Sequence, residues 1–232
     1  MAEYQLYCFA QSGNCYRAAL MLNAIGADWE PVYVDFFKAG VQRTPEYREK
    51  INEMGEAPVL AHGGKKLSQS GVILLYLAER SGRFLPRGED KRLEALRWII
   101  FDNQKVGGNL GPYRFVRNFA KPLGEPAVLE FLKGRAQGAL AILDKHLSRS
   151  LYVLGAEPTI ADISMTSYLY YPPEEFGFDT AAQAQEHRRV ARPHESTARM
   201  GASLRPDARS SAAAIGRLMA CTHNAAMAVL AS

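Results

Sequence analysis

Cysteine is scarce in this chain: three residues in 232, Cys8, Cys15 and Cys221, with no CxxC spacing. So odd and sparse a set excludes a disulfide framework or a cysteine-rich zinc site, and the thiols are expected to be reduced. Histidine is sparse too, and His62 and His146 are too isolated in sequence to form a metal motif. No apolar run approaches the roughly 18 residues of a membrane span. The start, MAEYQLYCFA, carries an acid where a signal peptide carries basic residues. These absences set the expectation of a soluble, cytoplasmic protein with no membrane partner and no metal. Charge of one sign is also missing from most of the chain. The net charge is +4, but residues 181–232 hold seven Arg, no Lys and three acids, which leaves 21 charges of each sign in the first 180 residues. A basic nucleic-acid surface is therefore not expected. The same last 52 residues contain 15 Ala and none of the 23 aromatics.

What remains is rich enough to fold. With 47% apolar side chains, the chain can bury a core in one domain or, more in keeping with its pattern, two. Tyr4 to Phe9 reads as a short strand. Gln11-Ser12-Gly13-Asn14 reads as a turn into a helix, Cys15 to Ile25, closed by Gly26. Strands are expected over Trp29 to Phe37, Pro58 to Ala61 and Lys65 to Ser68, the last two paired through His62-Gly63-Gly64. Helices are expected over Pro45 to Met54 and Ser70 to Arg80, giving the order β-α-β-α-β-β-α. The Gly, Pro and charge-rich stretch SGRFLPRGED reads as a linker. Beyond it the periodicity is helical: Leu93 to Phe101, Tyr113 to Phe119, and Val128 to Leu147 with Leu132, Ala136, Leu140, Leu143 and Leu147 on one face. A further helix starts at Thr159, where Thr159 and Asp162 have capping-box spacing. The fold class is thus an α/β domain over residues 1–81, a linker over 82–90, an all-α domain over 91–180, and a tail over 181–232.

Four short features carry chemistry. Ala57-Pro58 follows a glycine-containing loop and opens a strand, the setting of a cis peptide that turns backbone groups toward a ligand; an ordinary trans proline on an edge strand is the plainer alternative. Gln69-Ser70 stands at the first turn of a helix, where free N–H groups and the dipole hold a carboxylate. The serine hydroxyl can donate to that anion and the glutamine carbonyl can accept from an ammonium group, while helix capping is the alternative. Ser12 stands in the turn before the first helix, as an N-cap or as a donor to whatever lies above it. Cys15, near the same helix start, is either a reactive thiol or packing. Gly107-Gly108-Asn109-Leu110-Gly111 has no strand before it and no Lys-Ser/Thr ending, so it is not a phosphate loop.

The order of these features resembles the glutathione transferase superfamily, and in particular its bacterial-like, serine-type members. The resemblance covers about residues 4–179 and rests on LYCFAQSGNCYRAALML, NEMGEAPVL, LSQSGVILLYLAER and PTIADISMTSYLYYP. It implies a thioredoxin-like N-terminal domain, an all-helical C-terminal domain, a homodimer, and glutathione as co-substrate with no permanently bound cofactor. By the same resemblance Ser12 stabilises the glutathione thiolate, with Asn14 as a second donor. Ala57 binds the tripeptide backbone, Pro58 fixes that geometry, and Gln69 with Ser70 holds the γ-glutamyl end. Where some members use Lys or Arg for the glycyl carboxylate, this chain has Glu56; Lys38 is the candidate cation. Phe101, Tyr113 and Phe115 are candidates for the wall of an apolar electrophile pocket, with core packing as their alternative. The implied activity is glutathione S-transfer to an apolar electrophile. The alternatives are thiol-disulfide exchange through Cys15, or a non-catalytic module that binds ligands or proteins.

The tail departs from the family ending. One reading is a shifted frame beyond about Thr180: the single Met codon at Met200 followed by Gly201 forces Trp one nucleotide forward, as the family ending requires. The other is a genuine, poorly ordered basic tail. Sequencing the gene around Thr180 separates them.

Overall fold

The computed structural model describes residues 2–169 and 171–180. Both readings of residues 181–232, together with Cys221, lie outside the described residues. The described chain divides into two compact units between Arg83 and Phe84.

The first unit is a mixed four-stranded sheet with helices. Strands β1 (Tyr4–Cys8), β2 (Trp29–Tyr33), β3 (Val59–His62) and β4 (Lys65–Ser68) lie in the order β2-β1-β3-β4. β1 pairs parallel with β2 and antiparallel with β3, and β3 pairs antiparallel with β4. Helices α1 (Gly13–Ile25) and α3 (Ser70–Ser81) pack together. Leu6 and Leu60 of the sheet and Met21, Leu22, Ile73, Leu74 and Leu77 of the helices are fully buried. Burial of that kind contributes about 1.5–3 kcal/mol per large aliphatic side chain. Each helix ends on a left-handed glycine, Gly26 at φ 73 and Gly82 at φ 69, a conformation in which a Cβ would be strained.

Two elements are shorter than the periodicity suggests, for local reasons. β2 ends at Tyr33, opposite Cys8, where its partner strand ends. Phe36 and Phe37 then turn back onto Phe9 with ring centroids 4.4 and 5.7 Å away, so aromatic packing replaces strand continuation. Helix α2 (Pro45–Lys50) stops before Asn52, whose Oδ1 accepts from the Met54 amide at 3.1 Å in a side-chain turn that competes with the helix.

The second unit is all helical: α4 (Glu89–Phe101), α5 (Gly107–Asn118), α6 (Pro126–Leu147), α7 (Ile160–Leu169) and the short α8 (Pro173–Phe176). The glycine-rich stretch does not break the chain between α4 and α5. A π-helical turn, Asp102–Val106, joins them, with the buried Asp102 carboxylate accepting from Ser164 Oγ at 2.6 Å and the Gly107 amide at 3.2 Å. On α6, Ala136, Leu140, Leu143 and Leu147 face the core and Leu132 is half-buried. At the start of α7 the buried Asp162 accepts from the Val153 amide at 2.7 Å, the Thr159 amide at 2.8 Å and Thr159 Oγ1 at 3.0 Å. Among the described residues no helix is long and apolar enough to cross a membrane.

Candidate active site

Strand register brings three of the sequence features to one end of the sheet. Tyr7 pairs with Val59 and Val59 with Ser68. The residues just beyond these pairs therefore leave the sheet on the same side: the turn from Phe9 to Ser12 after β1, Ala57-Pro58 before β3, and Gln69-Ser70 after β4. No single segment contains this site; antiparallel pairing assembles it.

The Ala57-Pro58 peptide is cis. Ahead of it, the Glu56 carbonyl accepts from Tyr47 Oη at 3.0 Å and Asn52 Nδ2 at 3.1 Å. Burial pushes the Tyr47 phenol well up, so it stays a protonated donor. These two positioning residues escape sequence reading: Tyr47 lies outside the quoted motifs, and Asn52 opens NEMGEAPVL without a signal of its own. Tyr47 reaches the loop only through the packing of α2, and Asn52 resembles any other turn asparagine.

Gln69 occupies φ 65, ψ 109, a sparsely populated region for a residue with a Cβ. It stands at the N-cap position of α3, yet its side chain does not cap the helix. Nε2 instead donates to Glu56 Oε2 at 2.8 Å. Ser70 is the first residue of α3 and is buried. The dipole of this twelve-residue helix thus faces the cis-proline loop without the glutamine cap that would neutralise it.

Ser12 is buried, at 6% exposure, and does cap its helix: Oγ accepts from the Cys15 amide at 3.2 Å. That bond uses a lone pair, and the hydroxyl hydrogen is available to the neighbouring Cys15 sulfur or to an acceptor bound above the turn. One turn on, the buried Arg17 donates through Nη2 to Asn14 Oδ1, so the amide nitrogen is the end of Asn14 left to donate. Cys15 is fully buried. Burial pushes its thiol up to about 11, against the opposing pull of the Ser12 hydroxyl, the Phe9 backbone and Arg17. Cys8 is likewise buried and raised, and both thiols are unpaired. Lys38 lies exposed on the loop after β2, its amide donating to Asp35 Oδ1 at 3.0 Å. His62 is engaged by Tyr76 Oη at 2.7 Å and Glu3 at 3.3 Å, and among the described residues no cluster of three metal-ligating side chains occurs.

Residues 2–79 match the family described as glutathione S-transferase, N-terminal domain, and residues 126–171 match glutathione S-transferase, C-terminal domain. The chain belongs to the glutathione S-transferase superfamily. The disulfide-bond oxidoreductase YfcG of Escherichia coli is 32% identical over 163 residues, covering 67% of this chain and 74% of that protein. Glutathione S-transferase 1 of Dianthus caryophyllus is 31% identical over 187 residues, covering 77% and 81%. Among solved structures, a glutathione transferase family member from Pseudomonas fluorescens Pf-5, with two glutathione bound, superposes with a TM-score of 0.72 at 27% identity, covering 85% of this chain and 92% of that one.

Within the superfamily's helical domain the three aromatic candidates separate. Tyr113 is buried, stacks on Phe176 with centroids 6.3 Å apart, and donates its hydroxyl to the Phe176 carbonyl at 2.7 Å. Its ring and hydroxyl are engaged in core packing, the alternative its sequence position carries. Phe101 is half-buried against Trp98, and Phe115 is exposed on α5.

Proposed function

We propose that this member of the superfamily is an enzyme that activates glutathione for attack on an apolar electrophile. The observation that carries the proposal is the uncapped start of α3, with Gln69 and Ser70 beside the Ala57-Pro58 cis loop. Main-chain groups of Ala57, held by the Pro58 ring, take the tripeptide backbone. Ser70 and the helix N-terminus take the γ-glutamyl carboxylate, and the Gln69 carbonyl takes the ammonium. Ser12, whose hydroxyl hydrogen the cap leaves over, donates to the glutathione sulfur, with the Asn14 amide as second donor. The thiolate attacks an electrophilic carbon, a C–S bond forms, and the leaving group departs with the electron pair. Lys38 is the cation we assign to the glycyl carboxylate.

The similarity to a disulfide-bond oxidoreductase favours a second reading on the same residues. The glutathione thiolate attacks a disulfide instead, forming one S–S bond as another breaks and releases a thiolate. Cys15 is poorly suited to this chemistry, since a buried thiol with a pKa of about 11 is almost wholly protonated at neutral pH. Cys15→Ala is expected to leave both activities within about twofold, because the group carries little thiolate. Loss of disulfide exchange in that variant would return the chemistry to Cys15.

Retention on immobilised glutathione, followed by assays with an aryl halide and with a mixed disulfide, tests the proposal directly. We expect retention and turnover of at least one substrate; absence of retention would overturn it. A homodimer in the cytoplasm completes the proposal. The half-exposed Val72 on α3 and Leu93 and Ile100 on α4 are apolar surface of the kind that association covers. The unpaired thiols suit a reducing compartment.

A further inference from the structure

Tyr47 and Asn52 hold the Glu56 carbonyl from inside, which leaves the Glu56 side chain at the surface beside Gln69. There Glu56 Oε2 accepts from Gln69 Nε2 at 2.8 Å, and Met54 Sδ lies 3.4 Å from the same nitrogen. A carboxylate accepts only, so this pair fixes which end of the Gln69 amide is which. The nitrogen points to Glu56, and the carbonyl oxygen is turned away as the free acceptor. The adjoining start of α3 presents partial positive charge, which suits the α-carboxylate of a γ-glutamyl group but opposes the ammonium on the same carbon. Gln69 is neutral and cannot balance that charge alone. Holding a zwitterion here requires a negative group on the Gln69 side, and Glu56 is bonded to that side chain.

We infer that Glu56 is a specificity residue for the ammonium end of the γ-glutamyl group: it orients the Gln69 carbonyl to accept from the ammonium and places a negative charge next to it. The inference rests on the glutathione reading of the site. It also gives the carboxylate at this position a role at the opposite end of the tripeptide from the glycyl group.

The test compares two ligands by calorimetric titration: glutathione, and the analogue with a glutaryl group in place of γ-glutamyl, which lacks only the ammonium. Wild type is expected to prefer glutathione. Glu56→Gln keeps the size and an acceptor but removes the charge. It is expected to weaken glutathione about fivefold while changing the glutaryl analogue by less than about twofold, a difference typical of one charge-assisted contact. Thermal unfolding of the variant reports that the fold is intact. Equal weakening of both ligands, or unchanged glutathione affinity, would overturn the inference while leaving the glutathione site standing. A wild-type chain that binds neither ligand would overturn the reading of the site and this inference with it.

Discussion

Asp162→Ala is expected to lower stability by about 4 kcal/mol, the largest single effect among these substitutions. The buried carboxylate accepts from two backbone amides, those of Val153 and Thr159, and from the Thr159 hydroxyl. Truncation leaves three buried donors without their acceptor, at about 1–3 kcal/mol each before relaxation. It also frees the turn around Val153 from the start of α7. In a chain of this size that loss corresponds to a fall in Tm of about 10 °C, measured by thermal unfolding. Asp162→Asn keeps one acceptor oxygen and should lose only part of this. Burial pushes the Asp162 carboxyl up despite its three donors, so the charge itself is costly there. The stabilisation therefore comes from satisfying the donors, not from the negative charge. An Asp162→Ala variant that unfolds within about 2 °C of wild type would contradict this account.

Ser12→Ala is expected to reduce turnover in a pH-dependent way: about threefold at pH 7, about tenfold at pH 6, and with no loss near pH 9. A cysteine thiol of pKa about 8.5 is roughly 3% ionised at pH 7, and a site that lowers it by about two units makes it mostly thiolate. The cost is nucleophilicity, which falls with a Brønsted slope of about 0.4–0.5, so a thiolate gain of roughly 25-fold becomes roughly threefold in rate at pH 7. At pH 6 the thiolate gain is larger and the nucleophilicity cost is unchanged; above the free thiol pKa only the cost remains. Glutathione affinity should change less than about twofold, because the binding contacts we propose are Gln69, Ser70 and the Ala57 backbone. The variant also loses the N-cap of α1, worth about 1 kcal/mol of stability. Ser12→Thr restores both cap and hydroxyl and should recover turnover. Rate profiles from pH 6 to 9 decide the matter. A loss equal at every pH would mean that Ser12 acts through the fold alone, and unchanged turnover would remove it from the chemistry. The modest size of the effect implies that most of the acceleration comes from holding the electrophile against the sulfur.

The element order of the first unit was legible in sequence because its signals are local. A short apolar and aromatic run marks β1, Ser12 and Gly26 bracket α1, and Gly63-Gly64 closes the β3-β4 hairpin. The Thr159-Asp162 capping pair was legible for the same reason. Element ends were less so. Nothing in VYVDFF states that Phe36 and Phe37 will fold onto Phe9, because Phe9 belongs to another strand's end. Nor does DNQKVGG state that Asp102 will be buried against Ser164, 62 residues on, in a π-helical turn that fuses two helices.

The same division holds at the candidate site. By itself the sequence determined the residue types and their order: a hydroxyl at a helix start, a proline opening a strand, and an amide and a hydroxyl at another helix start. These follow from backbone preferences that extend over a few residues. Only the tertiary structure decided that Ser12, Ala57-Pro58 and Gln69-Ser70 share one end of the sheet, since strand register is set by pairing between distant segments. It also decided that Cys15 is buried with its thiol raised, that Tyr113 belongs to the core, and that Glu56 turns to Gln69. Burial and hydrogen-bond partnership depend on what the rest of the chain brings alongside a residue, and that is set by packing.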